Sequence, residues 1–244
     1  MARAKTQGMR VIVAYATRGD AGETSADLGN ETLGEVRERE ARAACEALGV
    51  DRVLFLGFDD SGMEDTETTK NPAAFCNANL DEVTARLSMA LVNETVTAVV
   101  GYDRNGTYGH PDHIKIHHAA HAAAPALHAD WVLDATYNRE YLASLGGDTY
   151  DKANDSPEAF ATGEAELTHF VEDDDAFAAK MVAIASHQSQ MPDDWKDRDV
   201  EPPVDEFKAR FGTEWYVATA VADTADFSAL DGLLRPKAQW RATP

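Results

Sequence analysis

The sequence predicts an α/β fold in which helices cover both faces of a mostly parallel sheet. Several short apolar runs are continuous rather than alternating, which is typical of strands buried on both faces. Segments with the apolar spacing of helices lie between these runs, and a strand and helix alternation is typical of parallel sheets. We therefore expect one domain over residues 1–244, with its core over about 1–137 and an irregular part over 138–244 that completes the site.

The predicted strands are short apolar runs bounded by polar loops. In chain order they cover 11–16, 53–58, 96–102, 131–137 and 214–221. The carboxyl ends of parallel strands meet at one edge of a sheet, where this fold class places its ligands. The loops after the first three runs are rich in Gly and in charged side chains or His, so we expect a functional site there.

The predicted helices lie between and after these strands. They cover 31–49, 71–94, 110–124 and 176–187. Gly49 is a suitable residue to end the first helix. Asn71 and Pro72 suit the cap and the first position of the second, and Pro125 should end the third.

Charge and cysteine content exclude several classes of partner. The formal net charge of −21 disfavours nucleic acid and anionic membranes, which are bound by clustered Lys and Arg. No apolar run approaches the roughly 18 residues of a membrane-spanning helix. Cys45 and Cys76 are too few for a disulfide framework or a thiolate metal site. We expect a soluble cytoplasmic protein, and the sequence leaves homo-oligomerisation open.

The stretch "GTYGHPDHIKIHHAAH", residues 106–121, carries five histidines directly after a predicted strand. Pro111 suits the first position of a helix, which places His113 in the first turn. The positive end of the helix dipole disfavours imidazolium, so His113 should tend to be neutral, the form that binds metals. His110 lies three residues earlier and can face the same cleft. Spacing therefore permits one metal ligand beside one acid or electrostatic group.

The later histidines have a plainer interpretation. His117 and His121 follow at steps of four residues, so they could form a metal-binding pair on one helix face. No Glu or third ligand accompanies them in the pattern, and solvated helix histidines are therefore the favoured interpretation. His118 and His128 are also predicted to be surface residues.

Six segments together resemble the LmbE/PIG-L superfamily of zinc-dependent N-deacetylases. They read "VIVAYATRGDAGE", "VREREARAACEALGV", "LGFDDSGM", "GYDRNGTYGHPDH", "KMVAIASHQSQM" and "FGTEWYV". Their order and spacing make the resemblance specific, although several are weak alone. The superfamily includes the mycothiol-pathway deacetylase, the mycothiol S-conjugate amidase and the glycosylphosphatidylinositol precursor deacetylase. The resemblance implies a Rossmann-like three-layer sandwich.

The resemblance also implies roles for individual residues. His113 would bind zinc, or another divalent metal. His110 would polarise or protonate the reacting amide, and Tyr108 would lie over the tetrahedral intermediate. The residues expected to contact the sugar are Glu23, Arg37, Asp60 and Met63.

Three of the proposed sugar contacts have a structural alternative. Arg37 could pair with Glu38 or Glu40 on the helix surface. Asp60 could cap Ser61, and Met63 could serve packing alone.

One expected motif of the superfamily is absent from this sequence. Members begin with a strand that ends in an Ala-His-Pro-Asp-Asp-Glu type of motif, which supplies two zinc ligands and a catalytic base. The one His-Pro-Asp here is the later one at 110–112. We therefore expect Met1 to be an internal methionine of a longer protein and the first strand to be missing, which should weaken the fold. Asp103, Asp20 and His187 are poor substitutes as ligands, and His187 better suits orienting a substrate.

The sequence thus predicts a metal-dependent hydrolase that removes an acetyl group from an N-acetylglucosaminyl compound, a small amino-sugar substrate. The absent motif leaves a second interpretation, a catalytically inactive sugar-binding or regulatory relative. A nucleotide-binding protein is disfavoured because no glycine-rich phosphate loop follows any predicted strand.

Overall fold

The structure is a computed structural model that describes residues 1–146, 157–191, 204–222, 225, 227–230 and 232–240. Contacts divide the chain into two compact units. One comprises Met1–Gly62 and Glu172–Thr213, and the other comprises Met63–Val171 and Glu214–Pro244. The single domain expected over 1–244 stays a prediction.

The α/β class is confirmed, since strands and helices alternate along the first half of the chain. The strands are β1 (Ile12–Tyr15), β2 (Arg52–Phe55), β3 (Ala98–Tyr102), β4 (Trp131–Thr136), β5 (His169–Glu172), β6 (Thr213–Ala220) and β7 (Arg235–Pro236). The helices are α1 (Ala2–Thr6), α2 (Leu33–Ala47), α3 (Leu80–Ala90), the single turn α4 (Gly106–Gly109), α5 (Pro111–Ala126), α6 (Arg139–Ser144), α7 (Asp174–Ala185) and α8 (Val204–Phe211). All five predicted strands are present, each shortened or shifted by a few residues.

The strands lie in two sheets, with parallel pairing between β1 and β2 and between β3 and β4. β1 and β2 form a parallel pair. The other sheet has the order β3-β4-β6-β5-β7, with β3 parallel to β4 and β6 antiparallel to β4. A helical crossover returns the chain to the start of a parallel neighbour, as α2 does for β2 and α5 does for β4. Among the described residues between β4 and β6 the chain passes through several helices and a strand, and β6 then enters from the opposite end.

Helix α2 begins and ends where sequence signals place it. The Thr32 side chain accepts a hydrogen bond from the Glu35 backbone N–H, and the Glu35 carboxylate accepts one from the backbone N–H of Thr32. Leu48 is the C-cap residue of α2. Gly49 follows it with φ +72, a backbone conformation that favours glycine. The prediction that Gly49 ends this helix is confirmed.

The predicted helix over 71–94 is wrong in its first turns. Helix α3 begins at Leu80, and the Asn79 side chain caps it by accepting from the Asp81 N–H. The Asn71 side chain instead accepts from the Ala73 N–H, which closes a local turn that competes with a helix. Pro72 therefore lies in a turn, and buried Phe75 follows it in a short 3-10 helix.

Helix α5 extends past the position where the sequence predicts its end. It includes Pro125 in its last turn and ends at Ala126. The restriction that a proline places on the residue before it is a preference, and Ala124 keeps its helical place. The N–H of Leu127 closes the helix by donating to the carbonyl of Ala123. In the segments that the structure describes, every helix is too short or too polar to cross a bilayer.

Helix α5 packs unusually close to β3. A Cβ atom at Gly101 would lie 2.8 Å from the Cβ of Ala120, so a side chain at this strand position would force the helix outward. Ala120 and Ala124 are buried in one apolar cluster with Ala129 and Val132. Small residues on both elements therefore bring the histidine-rich helix directly onto the sheet.

Candidate functional site

The turn after β3 is held by a buried carboxylate. Asp103 is 2% exposed, and its Oδ1 accepts hydrogen bonds from the N–H groups of Asn105 at 2.9 Å and Thr107 at 3.0 Å. The Thr136 hydroxyl of β4 donates to Oδ2 at 2.5 Å. These three hydrogen bonds satisfy the buried carboxylate of Asp103, which therefore serves as an anchor for the turn.

The backbone of this turn is strained where it approaches α5. Thr107 has φ 66 and ψ −60, close to a rare γ-turn geometry, and strain of this kind is concentrated at functional sites. Gly106 has φ +57, and a Cβ there would lie 2.9 Å from the Cβ of His113. Glycine is therefore required for the turn to lie against the first turn of α5.

His110 occupies the N-cap of α5. Its Nδ1 accepts a hydrogen bond from the backbone N–H of Asp112 at 3.1 Å. A neutral imidazole that accepts at Nδ1 carries its proton at Nε2. The cap thus fixes the tautomer, and Nε2–H is the group that His110 can offer to a substrate.

His113 lies one turn further along the chain, packed against two tyrosines. Its ring stacks on Tyr102 with centroids 4.0 Å apart, and Tyr108 meets it edge-on at 5.2 Å. Its Nδ1 lies 3.3 Å from the carbonyl oxygen of Gly106. When Nδ1–H donates to that carbonyl, Nε2 presents the lone pair that a metal requires.

The structure brings three of the predicted site residues together. The rings of His110 and His113 lie 4.8 Å apart, and Tyr108 lies 6.2 Å from His110. We call Tyr108, His110 and His113 the α5 N-terminal cluster. The roles of all three stay predictions.

A complete zinc site is not assembled around His113 by the described residues. Zinc hydrolases use three protein ligands and an open position. Within the described part of the chain, the one group of three His, Cys, Asp or Glu whose ligand atoms come within 4.8 Å of one another is His117, His121 and Asp134. His113 thus fits as one ligand but does not make a site, and no catalytic step is assigned to a metal there.

His117 and His121 are not the plain surface residues that the sequence favours. His117 Nδ1 lies 3.2 Å from Asp134 Oδ1, and His121 Nε2 lies 3.0 Å from the same oxygen. The hydrogen bond with Asp134 raises the pKa of His117, against the opposing effect of burial. The third partner comes from β4, so the helix pattern alone could not reveal it.

Three predicted sugar contacts lie in the unit that contains α2. Arg37 donates to the carbonyls of Gly19 at 2.6 Å and Glu23 at 3.2 Å. Asp60 Oδ2 accepts from the Ala21 N–H at 2.9 Å. These bonds hold residues 19–23 as one loop, and the Glu23 side chain is exposed on it.

The alternative partners that the sequence suggests for Arg37 and Asp60 make other contacts in the structure. Glu38 pairs with Arg42 at 2.8 Å rather than with Arg37. Glu40 is buried and accepts from the Ser189 N–H at 2.7 Å. Asp60 Oδ1 accepts from the Gly62 N–H at 3.0 Å rather than capping Ser61.

Two further residues complete the predicted set. Met63 belongs to the other unit, and its side chain is 40% exposed rather than packed in the core. His187 is half-buried beside Glu40 and Arg37, and burial lowers its pKa. The roles of Glu23, Arg37, Asp60 and Met63 toward a sugar stay predictions.

Comparisons with known proteins agree on one family. A family model described as PIG-L, GlcNAc-PI de-N-acetylase, matches residues 1–124. A 1D-myo-inositol 2-acetamido-2-deoxy-alpha-D-glucopyranoside deacetylase of Salinispora arenicola is 33% identical over 217 residues, which cover 79% of this chain and 70% of the relative. One of the same name from Geodermatophilus obscurus is 40% identical over 160 residues, 60% of this chain and 51% of the relative. The chain thus spans about half the length of the latter.

Solved structures support the same fold. An N,N'-diacetylchitobiose deacetylase from Pyrococcus horikoshii aligns with a TM-score of 0.55 and 19% identity, covering 89% of this chain and 76% of that one. The A40926 pseudoaglycone deacetylase Dbv21 aligns with a TM-score of 0.52 and 18% identity, covering 91% and 90%. At these identities the similarity bears on the fold alone.

Proposed function

This chain belongs to the PIG-L family of GlcNAc-PI de-N-acetylases, an enzyme family, and on that premise we propose that it hydrolyses the acetamide of an N-acetylglucosaminyl compound. The observation that carries the proposal is the α5 N-terminal cluster. Family similarity extends over 1–124, and this cluster lies within that range. The cluster combines an oriented imidazole with a phenol and a second imidazole.

The reaction is the addition of water to an amide. Water forms a bond to the acetyl carbon, the carbon–nitrogen bond breaks, and acetate and a free amino sugar leave. The carbonyl oxygen gains negative charge in the tetrahedral intermediate, and the amine must gain a proton before it departs. A group can therefore support the reaction by activating the water, by stabilising that oxygen or by supplying that proton.

His110 is suited to stabilising that oxygen. Its Nδ1 is occupied by the Asp112 N–H at 3.1 Å, so its proton is directed from Nε2. From there it can donate a hydrogen bond to the developing oxyanion. Tyr108 carries a hydroxyl that can donate to the same oxygen.

We further propose that the metal of the family is zinc and that His113 is one of its ligands. Bound zinc would lower the pKa of a coordinated water to about 7. Stacking on Tyr102 at 4.0 Å and the Gly106 carbonyl at 3.3 Å hold the imidazole of His113 in one orientation.

The named relatives suggest the substrate. Both the Salinispora and the Geodermatophilus proteins carry the name of a GlcNAc-inositol deacetylase. We therefore propose a small N-acetylglucosaminyl-inositol type of substrate. We also propose a cytoplasmic location. The residues that we propose to contact the sugar are Glu23, Arg37, Asp60 and Met63.

The proposal is tested by measuring acetate release from N-acetylglucosaminyl-inositol and from N-acetylglucosamine. We expect the inositol compound to be the better substrate and the His110→Ala variant to lose about 100-fold or more in rate. His118 is exposed on the same helix, so His118→Ala is the matched control and should keep the rate. Equal rates for His110→Ala and the unaltered protein would contradict the proposed role of His110.

A second candidate is an inactive sugar-binding relative. This interpretation is favoured by the ligand set at His113, which the residues that the structure describes leave incomplete. Titration of the same inositol compound, followed by calorimetry, separates the two. Saturable binding without any acetate, in protein supplied with zinc, supports the binding protein and overturns the enzyme.

A further inference from the structure

We propose that His117, His121 and Asp134 form a divalent metal site of their own, separate from His113 and from the proposed reaction. The three residues join α5 to β4 through one oxygen and two ring nitrogens. We call this group the α5–β4 triad. Its chemistry favours zinc or a similar divalent transition metal.

The ligand atoms are already at the spacing of a metal site. Zinc binds imidazole nitrogen and carboxylate oxygen at about 2.0–2.2 Å, which separates two ligands of a tetrahedral site by roughly 3.3 Å. The two nitrogen–oxygen distances are 3.2 Å for His117 and 3.0 Å for His121, and all three ligand atoms lie within 4.8 Å. Both nitrogen–oxygen distances are therefore close to the spacing of a tetrahedral site.

The charge of Asp134 requires a positive partner. Asp134 is 6% exposed, and a buried carboxylate is normally paired with a cation or bound to a metal. Among the described residues, its ion-pair partners are His117 and His121, and neither Lys nor Arg is one of them. Hydrogen bonds from the two imidazoles are one way to meet this requirement, and a divalent cation is another, which gives both imidazoles and the carboxylate a common partner.

The surroundings of His117 Nδ1 agree with this. The atom lies 3.1 Å from the Tyr102 carbonyl oxygen as well as 3.2 Å from Asp134 Oδ1. Two acceptors thus face one nitrogen. In the metal-free protein a proton on Nδ1 satisfies them, and a cation that replaces this proton leaves both oxygens beside positive charge.

The scaffold holds the ligands before a metal arrives. His117 and His121 lie four residues apart on α5, a spacing that places both on one face. Asp134 lies on an interior strand, paired with Gly101 of β3 and Val217 of β6. The close approach of Ala120 to Gly101 fixes the helix over that strand. Ordering the ligands therefore costs little on binding.

The donor set and the exposure define the class of ion. Two imidazoles and one carboxylate suit zinc and its neighbours better than magnesium, which prefers oxygen ligands. The His121 side chain is 35% exposed, so solvent reaches the triad and water can take the remaining position. Because the ion would cross-link α5 to β4 in the folded state alone, it should stabilise the fold.

The test measures zinc itself, without substrate. The protein and its His113→Ala variant are stripped with chelator, titrated with zinc chloride by calorimetry, and analysed for bound metal after dialysis. We expect His113→Ala to keep one zinc per chain and to melt at a higher temperature with zinc than without.

Triad variants are made in the His113→Ala background so that the two sites cannot be confused. Asp134→Asn and His121→Ala should weaken zinc binding by more than the roughly 10- to 100-fold that loss of an outer partner costs. His118→Ala on the same helix should bind as before. If Asp134→Asn fails to fold, the partly exposed His121→Ala decides alone.

Two results would overturn the site. One is a His113→Ala protein that binds no zinc, and the other is a His121→Ala variant that binds it unchanged. Either leaves the α5–β4 triad as a hydrogen-bonded cluster only. Neither affects the proposed deacetylation, which is measured separately as acetate release.

Discussion

At the scale of single residues, His110 combines a structural task with a chemical one. Its Nδ1 caps α5, and the same bond directs the Nε2 proton outward. A variant that removes the ring removes both functions, so activity and stability must be separated by the choice of substitution.

Asparagine at this position achieves the separation. His110→Ala should lower the free energy of unfolding by about 1 kcal/mol because the N-cap is lost. His110→Asn should restore that stability, since Asn is a strong N-cap, while the rate of acetate release stays low. Urea unfolding and acetate assays on both variants provide the measurement. A fully active His110→Asn would mean that His110 only caps the helix.

Gly106 sets the distance between the turn and the helix. Its φ is +57, and an added Cβ would lie 2.7 Å from the backbone nitrogen of Ile114. Gly106→Ala should therefore cost about 1–3 kcal/mol of stability. Gly146 has φ +65 with no atom within 4 Å of the same position, so Gly146→Ala carries the backbone cost alone. Equal losses for both variants, measured by denaturant unfolding, would show that close packing at Gly106 is unimportant.

At the scale of elements, the N-cap of α7 links stability to pH. Asp173 accepts from the Ala176 N–H at 2.9 Å and pairs with Arg3 at 2.7 Å. The helix N–H, followed by Arg3, lowers the pKa of Asp173 below its ordinary value. The carboxylate therefore stabilises the folded protein above the ordinary pKa, and this stabilisation is lost as pH falls through that value toward the lowered one.

Removal of this cap gives a measurable difference. Asp173→Ala should lower the free energy of unfolding by about 1 kcal/mol near neutral pH. The difference from the unaltered protein should shrink as pH falls below about 4. Asp175 is exposed in the first turn of the same helix, so Asp175→Ala is the control and should lose less. A pH-independent difference would contradict the role of the carboxylate charge.

Sequence patterns predicted elements well where one signal dominated locally. The run over 131–137 became β4, and Gly49 follows the cap of α2 with the left-handed backbone that glycine permits. The prediction that Asn71 caps a helix was wrong because the same side chain can also close a turn. Burial of Phe75 favours the turn. Propensity alone cannot choose between these two uses.

The candidate site shows the same division. The position of His110 and His113 at the start of α5 could be predicted because Gly, Pro and a helix start follow one another in sequence. The α5–β4 triad could not be predicted from the sequence, because Asp134 is brought to His117 and His121 by packing of α5 at Gly101. Contacts between distant segments depend on packing that no local pattern encodes.

At the scale of the whole molecule, we expect the net negative charge to limit the stability of the folded chain. The formal net charge of −21 makes the folded chain repel itself. Salt screens this repulsion, and the Debye length falls from about 30 Å at 0.01 M to about 3 Å at 1 M. The melting temperature, measured by calorimetry in sodium chloride, should therefore rise between these concentrations. A constant or falling melting temperature would show that repulsion does not limit stability.

The most direct test of the account is acetate release from N-acetylglucosaminyl-inositol by the zinc-supplied protein and by its His110→Asn variant. We predict equimolar acetate and free amine from the unaltered chain, and at least about 100-fold slower release from a variant that is equally stable. Absence of acetate from the unaltered chain, or equal rates for the two proteins, would contradict the proposal that His110 serves amide hydrolysis.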